Sequence, residues 1–266
     1  MNKIEFGDCR EIMRSWKEQG IKAQTCVTSP PYFGLRDYGH DGQIGLEETP
    51  EQYIAAMVEV FRCVRDVLED DGTLWLNIGD SYAKNKQRLM IPASVALALK
   101  ADGWWLRDEI VWHKPRTTPS GVKDRTVAAH ELIYLFAKSP DYYFDHKAIE
   151  EPAAYPNQRR KKSTAFRLTG GDGEIVCGDK RRKRSVWSVN PEPYHGAHFA
   201  TFPPALIEPC ILAGSALGDI VLDPFMGSGT TAQVAQNLGR KYIGCELNKE
   251  YAPLQAERTQ QFLLDV

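Results

Sequence analysis

Two short motifs carry the residues of this sequence that could do chemistry. The first reads Ser29-Pro30-Pro31-Tyr32. The Ser29 hydroxyl and the Pro30 carbonyl can each accept a hydrogen bond from an amine, and the prolines restrict φ and supply no competing N–H group. The Tyr32 ring can stack on a flat molecule. The motif is therefore suited to holding a planar base by its amino group.

The second motif reads Asp223-Pro224-Phe225-Met226-Gly227-Ser228-Gly229-Thr230 and follows a short apolar run. Glycines let the backbone pass close beneath a ligand, and the start of the next helix offers free N–H donors. Glu246 ends the following apolar run and can accept hydrogen bonds from both hydroxyls of a ribose. The third glycine of the dinucleotide fingerprint is missing, so the motif indicates a different, nucleoside-like cofactor.

The elements that must position these motifs alternate along the chain. Apolar runs predict strands over residues 24–27, 72–78, 104–113, 131–138, 219–222 and 242–245. Helical periodicity predicts helices over 50–68, 91–101 and 230–238, and Asp8 is a candidate N-cap for a helix over 9–16. This alternation predicts an α/β fold with a mostly parallel twisted sheet and helices on both faces. Both motifs then lie at the carboxyl ends of strands, where such sheets bind ligands.

The two motifs resemble those of the S-adenosylmethionine-dependent DNA amino-methyltransferases. That family has a catalytic (Asn/Asp/Ser)-Pro-Pro-(Tyr/Phe) motif and an Asp-Pro-Phe-x-Gly-x-Gly-Thr cofactor motif, and their order here resembles its β class. The resemblance covers nearly the whole chain. It implies a Rossmann-like methyltransferase fold, S-adenosylmethionine as cofactor, and methylation of adenine N6 or cytosine N4 on a base flipped out of double-stranded DNA. It makes Ser29, Pro30, Pro31 and Tyr32 the catalytic residues.

The same resemblance implies a set of cofactor-binding residues. Asp8 and Cys9 match a segment that contacts the cofactor adenine, although Asp8 could act as a helix cap alone or in both roles. Thr201, Phe202 and Pro203 match a segment that closes over the methionine part. The remaining cofactor-binding residues are Asp223, Pro224, Phe225, Gly227, Ser228, Gly229, Thr230, Glu246, Leu247 and Asn248.

A basic segment interrupts the α/β pattern. Residues 158–185 contain ten basic and three acidic residues, a charge of +7 in a chain whose net charge is −2. Such a stripe is typical of a phosphate-binding surface or, equally, of a solvated loop. We predict a target-recognition insertion over 150–190, with 1–149 and 191–266 forming the catalytic domain. The predicted DNA-binding residues are Arg36, Arg125, His130, Arg159, Arg160, Lys161, Lys162, Lys180, Arg181, Arg182, Lys183 and Arg184.

Composition excludes several other classes. No apolar run has the length of a membrane span and the N-terminus lacks a signal-peptide pattern, so we expect a cytoplasmic protein without a membrane partner. Six scattered cysteines argue against a zinc site, so no metal is expected, and Cys210 falls in an apolar helical pattern that does not suit a cytosine-C5 nucleophile. The alternatives are an RNA or protein methyltransferase on the same fold and a catalytically silent DNA-binding regulator. The choice between adenine N6 and cytosine N4 stays open, and related enzymes are often homodimers.

Overall fold

A computed structural model of the chain describes residues 1–40, 42–117, 120–161, 174–176, 178–191 and 202–260. The strands are β1 (Asn2–Phe6), β2 (Ala23–Thr28), β3 (Leu68–Ile78), β4 (Trp105–His113), β5 (His130–Ala137), β6 (Glu151–Pro152), β7 (Arg159–Lys161), β8 (Glu174–Val176), β9 (Lys180–Arg181), β10 (Val186–Ser188), β11 (Ile220–Asp223) and β12 (Lys241–Glu246). The helices are α1 (Cys9–Glu18), α2 (Pro50–Val67), α3 (Ile91–Ala101), α4 (Pro204–Gly214), α5 (Thr230–Asn237) and α6 (Ala252–Gln260), with a 3₁₀ turn over Lys249–Tyr251.

Eight strands form one sheet in the order β1-β12-β11-β2-β3-β5-β4-β10. All neighbouring pairs in the run β1-β12-β11-β2-β3 are parallel, and the pair β4–β10 at the other edge is also parallel. Within this sheet β5 runs against its neighbours, pairing antiparallel with both β3 and β4. The carboxyl ends of the parallel strands and the amino end of β5 therefore meet at one edge of the sheet.

Helices cover both faces of this sheet. One apolar cluster joins side chains of α1, α2 and α3, including Trp16, Tyr53 and Leu99, to strand residues such as Leu74. A second cluster joins Leu206 of α4 and Ala235 of α5 to the opposite strand faces. The predicted α/β class and the mostly parallel sheet with helices on both faces are confirmed.

Local signals explain where the helices begin. The Asp8 carboxylate accepts a hydrogen bond from the Arg10 amide and caps α1, as predicted. Thr49 and Gln52 form a reciprocal capping box at the start of α2. Proline occupies the first turn of α2, α3 and α4, where its missing N–H group is not needed.

The predicted strands and helices are present with small differences at their ends. β3 begins at Leu68, four residues before the predicted strand over 72–78. The sequence did not predict the edge strands β1 and β10, the antiparallel direction of β5, the pairs β6–β9 and β7–β8, or helix α6. The described helices include none with the length and hydropathy of a membrane span.

Candidate functional site

A cleft of about 1000 Å³ lies at the edge where the carboxyl ends of the parallel strands meet. Each strand end contributes the residues that follow it. Gly7 to Arg10 follow β1, Ser29 to Tyr32 follow β2, Asp223 to Ser228 continue from β11, and Glu246 to Asn248 continue from β12. The two predicted motifs, which are almost two hundred residues apart in sequence, thus line a single cleft.

Asp223 joins the two halves of this cleft. Its side chain is 1% exposed and accepts hydrogen bonds from the Thr28 hydroxyl (2.6 Å), the Thr231 hydroxyl (2.6 Å) and the Phe225 amide (3.0 Å). Thr28 is the residue immediately before Ser29, so one buried carboxylate fixes the loop after β11 relative to the loop after β2. Burial raises the pKa of Asp223 to about 6, and the three hydrogen bonds oppose that shift.

The loop after Asp223 turns tightly around the end of β12. Gly227 and Gly229 have φ angles of 53° and 89°, a region that favours glycine. The Gly227 amide donates to one oxygen of Glu246 (2.7 Å), and the Asn248 amide donates to the other (2.8 Å). Glu246 is 9% exposed and lines the cleft, and burial raises its pKa. Its carboxylate is thereby held in one orientation with free lone pairs.

Other predicted cofactor-binding residues also line this half of the cleft. They are Asp8, Cys9, Phe202, Pro224, Phe225, Gly227, Ser228, Thr230, Leu247 and Asn248. The Ser228 hydroxyl is buried and has no hydrogen-bond partner among the described residues. Gly229 and Pro203 flank the cleft in the adjoining loop and helix cap without lining it, and Thr201 lies outside the described residues. Arg10 occupies both oxygens of the Asp8 carboxylate.

The predicted catalytic motif is held from several sides. The Tyr53 hydroxyl donates to the Pro31 carbonyl oxygen (2.9 Å). The Tyr32 ring lies so close to Gly79 that a Cβ atom there would fall 2.4 Å from Tyr32 Cε2. The Tyr32 hydroxyl contacts Glu131 Oε2 (2.8 Å) and Asn77 Oδ1 (3.2 Å). The Ser29 hydroxyl lies 3.4 Å from that of Tyr32.

Two charged residues at this end of the cleft lie outside the predicted catalytic, cofactor-binding and DNA-binding sets, although His130-Glu131 resembles a family segment near the target base. Glu131 lies at the start of β5, and Lys114 directly follows β4 and forms an ion pair with Glu131. Lys114 also lies over the ring of Trp112, 4.1 Å from its centroid. All three line the cleft. The sequence signal for Lys114 is its position at the end of a predicted strand. Glu131 lies at the start of β5, and it reaches the same edge of the sheet because β5 is antiparallel.

The predicted DNA-binding residues are dispersed. Arg36 is the only one of them, among the described residues, that lines the cleft. Arg125 stacks on Tyr82 at 4.1 Å, and His130 lies opposite His113 in the sheet. Arg181 and Arg184 both pair with Glu151, Lys183 lies over Trp187, and Lys180 and Arg182 are exposed.

The remaining basic residues of the segment are only partly described. Arg159, Arg160 and Lys161 form β7, which pairs with β8. The side chains of Arg160 and Lys161 lie outside the described part of the chain, as does the whole of Lys162.

Cysteine chemistry is not supported by the packing. The five described cysteines are free and buried, and Cys210 is 1% exposed within the core of α4. Burial raises the pKa of the Cys210 thiol, which keeps it protonated and unreactive. Among the described residues, no group of three His, Cys, Asp or Glu side chains could hold a metal ion.

Comparison with known proteins identifies the family. The model of the DNA methylase family matches residues 23–258. This chain belongs to the DNA methylase family. It is an enzyme of the kind that methylates exocyclic amines, cytosine N4 or adenine N6, as the sequence resemblance predicted.

Individual relatives match this methylase over almost its whole length. It is 44% identical to the type II methyltransferase M.SmaI of Serratia marcescens, over 96% of this chain and 90% of that protein. It is also 44% identical to the type II methyltransferase M.XycI of Xanthomonas campestris pv. cyanopsidis, over 96% and 86%.

Solved structures share the fold of this methylase. The cytosine-N4-specific PvuII DNA methyltransferase has a TM-score of 0.72 at 21% identity, covering 97% of this chain and 86% of that one. A Thermus thermophilus protein solved with S-adenosyl-L-methionine has a TM-score of 0.67 at 27% identity, covering 100% and 98%. The Rossmann-like methyltransferase fold is thereby confirmed.

Proposed function

We propose that this methylase transfers the methyl group of S-adenosylmethionine to the exocyclic amine of a base within a specific sequence of double-stranded DNA. One observation carries the proposal. The Ser29–Tyr32 loop and the loop after Asp223 line one cleft and are joined by the 2.6 Å hydrogen bond between Thr28 and Asp223. A donor and an acceptor bound on these loops would be held side by side, which is the main requirement of a direct transfer.

The residues on the Asp223 side fit the chemistry of S-adenosylmethionine. Glu246 offers two carboxylate oxygens that the Gly227 and Asn248 amides already orient, which suits the two hydroxyls of a ribose. The buried Ser228 hydroxyl, which has no hydrogen-bond partner in the described part of the chain, offers a further polar group at the cleft wall. When bound, S-adenosylmethionine supplies a methyl group made electrophilic by its sulfonium charge. The other proposed contacts are the cofactor-binding residues described above, including Phe202 in the cleft wall.

Ser29 and Pro30 then act on the amine of the target base. An exocyclic amine is a poor nucleophile because its lone pair is delocalised into the ring. Hydrogen bonds from its two N–H groups to Ser29 Oγ and to the Pro30 carbonyl would favour a pyramidal nitrogen with its lone pair free for the methyl group. Preorganised acceptors of this kind act without reorganisation during the reaction. Because this site lies inside a cleft, the base must leave the duplex to reach it.

The basic segment supports DNA binding in this proposal. Exposed Lys180 and Arg182 are suited to phosphates, and Arg36 reaches the cleft itself. We keep residues 150–190 as the proposed recognition insertion, in which β10 pairs with β4 of the main sheet. The type II methyltransferase relatives favour a role beside a restriction enzyme, in the cytoplasm where bacterial DNA lies.

The test is nucleoside mass spectrometry of mixed-sequence DNA after incubation with the protein and S-adenosylmethionine. We expect N4-methylcytosine or N6-methyladenine, and the nucleoside found names the base. Ser29→Ala should abolish the product, whereas Ser15→Ala on the exposed face of α1 should leave it unchanged. Methylation of RNA only, or cofactor binding without turnover, would overturn the proposal in favour of an RNA methyltransferase or a silent DNA-binding protein.

A further inference from the structure

The hydroxyl of Tyr32 is held by a charged pair that lies outside the Ser29–Tyr32 motif. Glu131 Oε2 lies 2.8 Å from the Tyr32 hydroxyl, and Lys114 forms an ion pair with Glu131 Oε1. The side chains of Lys114 and Glu131 are both 20% exposed, so the pair is largely shielded from water. Contacts in such surroundings are stronger than on an open surface.

The chemistry of these groups sets the direction of their hydrogen bonds. An ionised carboxylate can only accept. The Tyr32 O–H group has one proton, and it donates that proton to Glu131 Oε2 at 2.8 Å in preference to the uncharged Asn77 Oδ1 at 3.2 Å. Burial and the Glu131 charge raise the pKa of Tyr32 well above its usual value, which keeps the donor proton in place. The Tyr32 oxygen keeps lone pairs, and the Ser29 hydroxyl donates to it at 3.4 Å. In enzymes without bound substrate, catalytic hydrogen bonds are often this long and become shorter in the substrate complex.

This direction matters for an amine substrate. If the Ser29 O–H group pointed into the cleft, its proton would face the N–H groups of the base and oppose them. When that proton points at Tyr32, the Ser29 oxygen presents lone pairs to the cleft and can accept from the amine. The orientation of the Ser29 hydroxyl group thus decides whether its oxygen can accept a hydrogen bond from the amine of the base.

We propose that Glu131, anchored by Lys114, is a positioning residue that directs the chain Ser29–Tyr32–Glu131 so that Ser29 Oγ accepts from the target amine. The inference rests on the proposed function. Glu131 acts through Tyr32 and does not touch the reacting atoms. It makes the methyl-transfer step depend on a residue about a hundred positions away from the motif.

The first test is Glu131→Gln, which keeps the size of the side chain and removes its charge. An amide can donate as well as accept, so the direction of the chain is no longer enforced. We expect the single-turnover rate of DNA methylation to fall at least tenfold, while the Kd values for S-adenosylmethionine and DNA change less than twofold. The matched control is Asp66→Asn, which breaks the remote, exposed Lys17–Asp66 ion pair (2.9 Å) and should leave the rate unchanged.

A double-mutant cycle with Tyr32→Phe separates this role from a purely structural one. Tyr32→Phe removes the hydroxyl that links Glu131 to Ser29, so Glu131→Gln should lower the rate less than twofold further in that background. Full activity of Tyr32→Phe, or rate losses that multiply in the double variant, would overturn the inference. If Glu131→Gln fails to fold, Tyr32→Phe still tests the chain, because full activity of that variant overturns the inference. Wild-type methylation in the same assay tests the proposed function separately.

Discussion

At the scale of single residues, Asp223 joins the two loops of the cleft through a carboxyl group that is buried. Its carboxyl is 1% exposed, and burial outweighs three hydrogen bonds to raise its pKa to about 6. A raised pKa means that the folded protein binds this proton more tightly than the unfolded chain does. The contribution of Asp223 to stability is therefore largest below its unfolded pKa and falls as the pH rises toward 6.

Asp223→Asn isolates this contribution because it keeps the shape of the side chain and removes the titration. The free energy of unfolding of the wild type, relative to that of the variant, should fall by about 3 kcal/mol at most as the pH rises from about 4 to about 7. Urea denaturation at a series of pH values measures it. A difference that stays constant across this range would show that the carboxyl does not titrate there.

At the scale of elements, the position of Tyr32 is set where the loop after β2 packs against the end of β3. Gly79 follows β3, and any side chain there would collide with the Tyr32 ring, whose hydroxyl is held by Glu131. The Tyr32 ring is thus fixed between Gly79, which follows β3 and has no Cβ atom, and the Glu131 carboxylate at the start of β5. Neither constraint belongs to the motif itself.

Gly79→Ala should therefore displace Tyr32 and the groups bonded to it. We expect a loss of about 1–3 kcal/mol in stability from overpacking and a fall of tenfold or more in the single-turnover rate from misplacement. Gly121→Ala is the control, because a Cβ atom at Gly121 meets nothing within 4 Å. Thermal melting and rapid-quench methylation measure the two effects, and a variant with the full rate would show that the ring can move without consequence.

At the scale of the whole molecule, charge is separated between a basic segment and an acidic body. Residues 158–185 carry +7 in a chain of net charge −2, yet Glu151 pairs with two of the arginines, Arg181 and Arg184. Lys180 and Arg182 are the better reporters of phosphate binding because both are exposed. Electrostatic binding of this kind weakens steeply with salt.

Lys180→Glu with Arg182→Glu should weaken DNA binding and make the slope of log K against log salt shallower by about 2, one for each lost phosphate contact. Lys100→Glu with Lys241→Glu carries the same change of charge on exposed residues outside the basic segment and should alter the slope little. Fluorescence anisotropy over a salt series provides both values. Equal slopes for the two double variants would show that Lys180 and Arg182 of the basic segment do not contact DNA phosphates.

The sequence by itself determined the α/β class, the ends of most strands and helices, and the two motifs, because apolar periodicity and turn residues are local signals. It also placed Asp223, Glu246 and Ser29 at strand ends, which is where the cleft lies. Only the tertiary structure decided that Lys114 belongs to the site, that Glu131 reaches the Tyr32 hydroxyl and that Arg181 is already paired. The reason is physical: the direction of β5 depends on its pairing with β3 and β4, and no local pattern records whether the first or the last residue of a strand will face the cleft.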